Sequence, residues 1–332
     1  MGAIEQGGSS HYFKIETAHL FSLLDLLIES VKSNSDDSHL KIAPEHPMVR
    51  KLPSTDFRAK RMVLEPDDYG LTDGLPDPAP TDLIDQSVWH GIMDLPDDVV
   101  IRTTSHQGSR INLLYELWAG WLEVMPTEGI VTQAMLDCSD DFASATMLLL
   151  HGFYRQAIGT LRSALETMLF SCLCQITGNL QRWSSWKKGK EELSFVNNRH
   201  DMRKTDIIRS LEVRAQAATG RTLFADKNGA DPGGWATSLH ARLSNFIHAR
   251  GNQTNADIWG SNGPIYSAQG MKLGYHNQLE TYVLLLLMAK IATPSIDMPI
   301  HAEVLFSYDS RQRYLQKLDR KICRFIKLEI FH

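Results

Sequence analysis

Cysteine is scarce and unpatterned in this chain, with 4 in 332 residues: Cys138, Cys172, Cys174 and Cys323. They form no C-x-x-C pair and no His/Cys cluster with ligand spacing. That argues against a zinc module or a disulfide scaffold, and it fits a reducing cytoplasm. Neither a metal nor a cofactor is expected. Long apolar runs are missing as well. The longest, Tyr282 to Ala289, falls well short of the roughly 20 residues that span a bilayer. The N-terminal stretch MGAIEQGGSSHYFKIE lacks the apolar core of a signal peptide. Gln6 stands where a myristoylation signal following Gly2 places Ser or Thr. These absences lead to the expectation of a soluble, cytoplasmic protein without a membrane span.

An excess of positive charge is also lacking. With 34 Lys and Arg against 39 Asp and Glu, the net charge is −5. Any nucleic-acid surface must therefore be a local patch. The glycines match neither G-x-G-x-x-G nor G-x-x-x-x-G-K-[ST], and there is no H-E-x-x-H and no G-x-S-x-G. ATPase, zinc-protease and serine-hydrolase readings have no support. Apolar residues at 43 % and charged residues at 22 % are ordinary for a folded chain. The length allows one large core or two smaller ones.

What is present is helical periodicity. Phe13, Ala18, Phe21, Leu24, Leu27, Ile28 and Val31 predict an N-terminal helix within residues 1–33. Residues 34–105 hold eight of the 13 prolines, among them the acidic run DGLPDPAPTD. They read as an irregular arm with room for a few short strands, such as RMVLE and DVVIRTT. From residue 106 to 332 the pattern is that of an all-α bundle. Leu113, Leu114, Leu117, Trp118, Trp121 and Leu122 share one face, and Ala143 to Leu150 is almost wholly apolar. In GFYRQAIGTLRSALETMLFSCLC an i, i+3, i+4, i+7 stripe from Ala157 to Cys172 persists for four turns. Further helices are predicted at about 203–217, 234–250, 275–292 and 309–329.

Arg162 and Glu166 lie four apart in the long helix, which suits a structural ion pair; the alternative is that Arg155 or Arg162 points into a polar cleft shared with His248. Two basic surfaces could meet phosphates. Arg182, Lys187, Lys188, Lys190, Arg199, Arg203 and Lys204 interleave with Trp183 and Trp186, a combination suited to phosphate contact plus base stacking. In the 309–329 helix, Arg313, Lys317, Arg320, Arg324 and Lys327 step along one face opposite Leu315, Leu318, Ile322 and Ile326. That face suits phosphates, acidic lipid or an acidic partner. After it has passed His248, the chain runs through QTNADIWGSNGPIYSAQGMKLGYHNQ. This segment is longer than the roughly 2–8 residues of a plain helix connection.

The segment HARLSNFIHARG holds Arg242-x5-His248, late in the bundle and after YRQAIGTLRSALE. In this it resembles HEPN-type domains, helical bundles marked by an arginine, four to six residues and a histidine. The likeness covers about residues 107–292 and extends to abortive-infection branches of that group. It implies a metal-independent endoribonuclease, the toxin or effector of a bacterial toxin–antitoxin or phage-defence system. RNA would be the substrate, and an antitoxin or defence protein a partner. His248 would take the 2′-hydroxyl proton and Arg242 would stabilise the phosphorane, with Ser244 and Asn245 orienting either group. Arg155, Arg162 and the 309–329 face would hold RNA. Six residues of helix place Arg242 and His248 about 120° apart, so the resemblance also implies a homodimer that brings two motifs to one cleft. HEPN ribonucleases usually carry a polar residue after the arginine, whereas Leu243 stands here. The alternative is an inactive HEPN-like interaction or regulatory module, with His248 serving the helix dipole.

Overall fold

The computed structural model describes residues 86–228, 233–247, 264–307 and 318–331, with side chains from Pro96 onward. The chain forms two units, Met1–Asp94 and Leu95–His332, and the second holds the bundle. Its helices are α1 (Gln86–Glu123, which begins in the first unit), α2 (Ile130–Leu150), α3 (Tyr154–Thr177), α4 (Leu180–Lys187), α5 (Phe195–Arg203), α6 (Asp206–Thr219), α7 (Trp235–Ile247) and α8 (Ala268–Ala292). A 3₁₀ turn at Ile300–Ala302 leads into α9 (Glu303–Ser307), and α10 (Arg320–Glu329) follows. The protein is mainly helical, with no β-strand among the described residues.

α3 lies at the centre, packed against α2, α4, α5, α7 and α8. Its stripe Ala157, Ile158, Leu161, Ala164, Leu165, Met168, Leu169 and Cys172 is buried. It is also the one described helix long and apolar enough to cross a bilayer, and it spends those apolar residues on the bundle interior. α1 adds large rings to the same core. Trp121 meets Phe142 and Tyr282 at centroid distances of 5.5 and 5.6 Å, and its indole N–H donates to the Met135 carbonyl (2.8 Å). All four cysteines are free thiols and buried.

α8 approaches α2 and α3 closely because two of its residues have no side chain. A Cβ on Gly270 would sit 2.7 Å from Cε2 and 2.8 Å from Cγ of Tyr154, and one on Gly274 would overlap the Leu149 side chain. Tyr154 fixes the entry to α8, its hydroxyl accepting from the Ser267 N–H at 2.8 Å, while Ser267 Oγ caps Gly270 N at 3.0 Å. At the α2–α3 turn Gly152 has φ +81, and a Cβ there would overlap the Ile265 backbone.

Two expectations need revision. DVVIRTT, read as a possible short strand, lies inside α1, so residues 86–105 of the expected arm are helical, and its residues 34–85 lie outside the described residues. Seven of the eight prolines in residues 34–105 precede Gln86, and only Pro96 lies in the helix. The hydroxyl residues of this stretch are accommodated helically: Thr104 and Ser105 turn their hydroxyls back to Val100 O (2.9 Å) and Ile101 O (2.7 Å). α8 begins at Ala268, so the segment after His248 is shorter than its glycines suggest. The helix expected at about 203–217 is present as α6, which starts at Asp206 behind Thr205 as its N-cap. The N-terminal helix and the RMVLE strand fall outside the described residues.

The close approach of α8 has a measurable consequence. Gly270→Ala should cost about 1–3 kcal/mol by overpacking against the Tyr154 ring, read as a lower melting temperature. Gly108→Ala, in α1 with open space around its Cβ position, should be stabilising by up to about 1 kcal/mol. Equal melting temperatures for the two variants would contradict the packing described.

Candidate functional site

α7 carries the arginine of the motif, and its start is built by a loop. The N–H groups of Gly234, Trp235 and Ala236 donate to Ala225 O (2.9 Å), Thr222 O (3.0 Å) and Leu223 O (2.7 Å), which satisfies the first turn. That loop is held by Glu212, whose carboxylate accepts from Leu223 N (2.6 Å) and Phe224 N (2.7 Å). Leu239, Leu243 and Phe246 make the buried face of α7. Leu243 is 0 % exposed, so the residue after the motif arginine serves the core.

Arg242 lies at the edge of that face and reaches α8. Its Nε donates to Asn277 Oδ1 at 2.8 Å, and its Nη2 donates to Glu280 Oε2. The other carboxylate oxygen of Glu280 accepts the Trp235 indole N–H at 2.6 Å. Asn277 is oriented in turn, its amide donating to Leu273 O at 2.8 Å. The Arg242 side chain is 39 % exposed and that of Glu280 19 %. One carboxylate thus ties together the first and third turns of α7.

His240 belongs to a second cluster. Its Nε2 lies 2.9 Å from Glu166 Oε1, the same oxygen that accepts from Arg162 Nε at 2.9 Å. Its ring stacks flat on Phe195, at 3.8 Å and 3°. Burial alone would raise the Glu166 carboxyl, but hydrogen bonds from His240 and Arg162 outweigh it and hold the group below its ordinary value. The i, i+4 pair expected from the sequence is therefore present, and a histidine joins it.

The remaining sequence-selected residues are placed as follows. Ser244 donates its hydroxyl to His240 O at 2.7 Å, a bond within α7. Asn245 is half-buried, and His248 lies outside the described residues. Arg155 reaches across from α3 to the last carbonyls of α7, its Nε 2.8 Å from Phe246 O and its Nη2 3.5 Å from Ile247 O, a cation at a helix C-terminus. Arg320 and Arg324 are exposed on α10, while Arg313 and Lys317 lie outside the described residues. α10 starts at an Asp319 cap instead of 309, and Lys327 is taken up by Glu303 (2.8 Å) and Ser307 (2.5 Å).

Several of the charges and one ring of the 182–204 surface are engaged internally. Arg182 pairs with Glu191 at 2.6 Å, Arg203 with Asp226 at 2.6 Å, and Arg199 with the same Asp226 and with Thr237 (2.6 Å). Trp183 is buried, donates to Gln133 Oε1 at 2.9 Å and stacks on Phe170. Its ring belongs to the core. Among the described residues no three His, Cys, Asp or Glu side chains gather as a metal site would require.

Trp235, Asn277 and Glu280 were not singled out from the sequence. A signal existed: Glu280 is the one acid in α8 and stands beside the run YVLLLLMA, where a carboxylate needs a cationic partner. Compared with protein-family models, curated proteins and solved structures, the chain matches none.

Two outcomes test these assignments. Arg242→Ala and Glu280→Ala should each cost about 1–3 kcal/mol, because each leaves a half-buried polar group unmatched. The double variant should lose less than the sum, as read by denaturant titration. Strict additivity would contradict the pairing. For Glu166 the folded-state pKa is depressed, so its contribution to stability is full above the unfolded value near 4.5. It is lost as pH falls through the folded value. Glu166→Gln should therefore flatten the acid limb of a melting-temperature profile below pH 4.5. An unchanged limb would contradict the cluster.

Proposed function

We propose that the chain is a HEPN-like bundle working as a non-catalytic interaction module. The observation that carries this reading is the engagement of Arg242. Its Nε and Nη2 donors go to Asn277 and Glu280, and the partnered carboxylate offsets the charge that a developing phosphorane would need. To act in catalysis the guanidinium would have to leave a partner of opposite sign that is itself held by Trp235. The buried Leu243 points the same way, since the position next to the arginine is committed to packing.

A second reading keeps the metal-independent endoribonuclease, a toxin or phage-defence effector. Arg155 favours it, because this cation lies on the carbonyls of Phe246 and Ile247, immediately before His248 in the chain. In that reading His248 takes the proton of the RNA 2′-hydroxyl, whose oxygen attacks the phosphorus. The 5′-oxygen leaves, and a 2′,3′-cyclic phosphate remains. A homodimer with two motifs in one cleft belongs to this reading alone.

Incubating the full chain with total RNA in EDTA separates the two. The module reading expects no cleavage by the wild type, and sedimentation equilibrium need not show a dimer. Cleavage leaving 2′,3′-cyclic ends, abolished in a folded His248→Ala variant and absent on DNA, would overturn it in favour of the enzyme.

A further inference from the structure

On α1 the stretch from Val99 to Tyr115 contains no Asp or Glu but carries Arg102, His106 and Arg110 at successive i, i+4 positions. Arg102 is paired with Asp98 at 2.8 Å. Arg110 differs. Among the described residues no carboxylate pairs with it: its Nη1 donates to the neutral Gln107 Oε1, its Cζ lies 5.7 Å from the Tyr275 ring centroid, and its buried Nε has no partner. The partners of Arg110 among the described residues are neutral, so its charge has no counter-charge there, and a buried N–H without an acceptor is costly. Arg162, Arg182, Arg199, Arg203, Arg221 and Arg242 all have carboxylates, and Arg155 lies on the carbonyls at a helix C-terminus.

The groups around Arg110 also offer donors. Gln107 Nε2 donates to Tyr266 Oη at 2.9 Å, which leaves the Tyr266 hydroxyl hydrogen to be given elsewhere. The exposed His106 ring lies 5.3 Å from that of Tyr266, one helical turn from Arg110 on the same side of α1. Tyr266 immediately precedes Ser267, the N-cap of the 25-residue helix α8, so the positive end of that dipole lies beside it. An exposed imidazole and a phenol thus lie next to the start of α8, the guanidinium is joined to that phenol through the Gln107 amide, and the adjoining stretch of α1 carries no acid.

We infer that His106, Arg110 and Tyr266 form a subsite for a phosphate-type oxyanion. Such a ligand accepts hydrogen bonds only, fits the planar fork of arginine, and supplies the charge Arg110 lacks. The inference does not depend on Arg242 being structural. It gives a chemistry to what the module would hold, and it stands or falls on different residues.

Isothermal titration of the full chain tests it with three probes: inorganic phosphate, adenosine 5′-monophosphate and a short single-stranded RNA. At least one should bind, and its affinity should fall about tenfold in His106→Ala and in Arg110→Gln, the loss of one charged hydrogen bond each. Arg110→Lys should fall between wild type and Arg110→Gln. Binding of phosphate and nucleotide identifies a free phosphate group as the ligand, and binding of RNA alone identifies the polynucleotide backbone. Should Arg110→Gln not fold, His106→Ala decides, since its ring is exposed. No heat with any probe, or wild-type affinity in a folded His106→Ala, would overturn the subsite.

Discussion

A single carboxylate on an otherwise apolar helix governs how the second half of the bundle is arranged. Glu280 stands just before the run of leucines that seats α8 against α2 and α3. An ionised group there is tolerated only when both oxygens have donors. Trp235 and Arg242 supply them from two turns of α7, so the requirement fixes the register of α7 on α8. With α7 held in this way, Leu239, Leu243 and Phe246 face inward and His240 reaches the Arg162–Glu166 pair on α3. The interaction specifies position more than it adds net stability, since a buried ion pair often does little better than well-packed apolar groups.

The same constraint sets Arg242 apart from Arg155 and Arg110. Arg242 is matched by a carboxylate, whereas the donors of Arg155 go to backbone carbonyls and those of Arg110 to an amide. Arg155 and Arg110 are linked through one short segment. Tyr154, next to Arg155, accepts from Ser267, and the neighbouring Tyr266 accepts from Gln107, which also receives Arg110. Arg110 is thus joined through Gln107 to the residue before the α8 cap, whereas Arg155 sits at the C-terminal end of α7. The proposed interaction module with a phosphate-type subsite gives Arg110 its counter-charge and leaves Arg242 to structure.

Much of the bundle was legible in the sequence because burial writes itself as periodicity. The stripe of α3 and the Arg162–Glu166 spacing predicted what the structure contains. The start of α1 was misjudged because seven prolines upstream coloured a reading of residues that lack them, and because Val99, Val100, Ile101, Thr103 and Thr104 favour strands in isolation. Tertiary packing overrides that preference, and the hydroxyl of Thr104 finds a carbonyl within the helix. The Arg242 network was hidden for another reason. Its members are 35 and 38 residues apart in sequence, and no local spacing reports such a contact. Trp183 shows the converse error: an aromatic residue among lysines suggests a stacking surface, yet its apolar area is worth more inside the core.

The account turns on Arg242 being held in place. The steady-state heteronuclear NOE of its side-chain Nε–Hε group measures this directly, because a guanidinium fixed through Nε and Nη2 loses its fast motion. The account predicts a value close to that of the α7 backbone amides, collapsing toward that of the exposed Arg324 when Glu280 is replaced by alanine. A wild-type Arg242 already as mobile as Arg324 would contradict it.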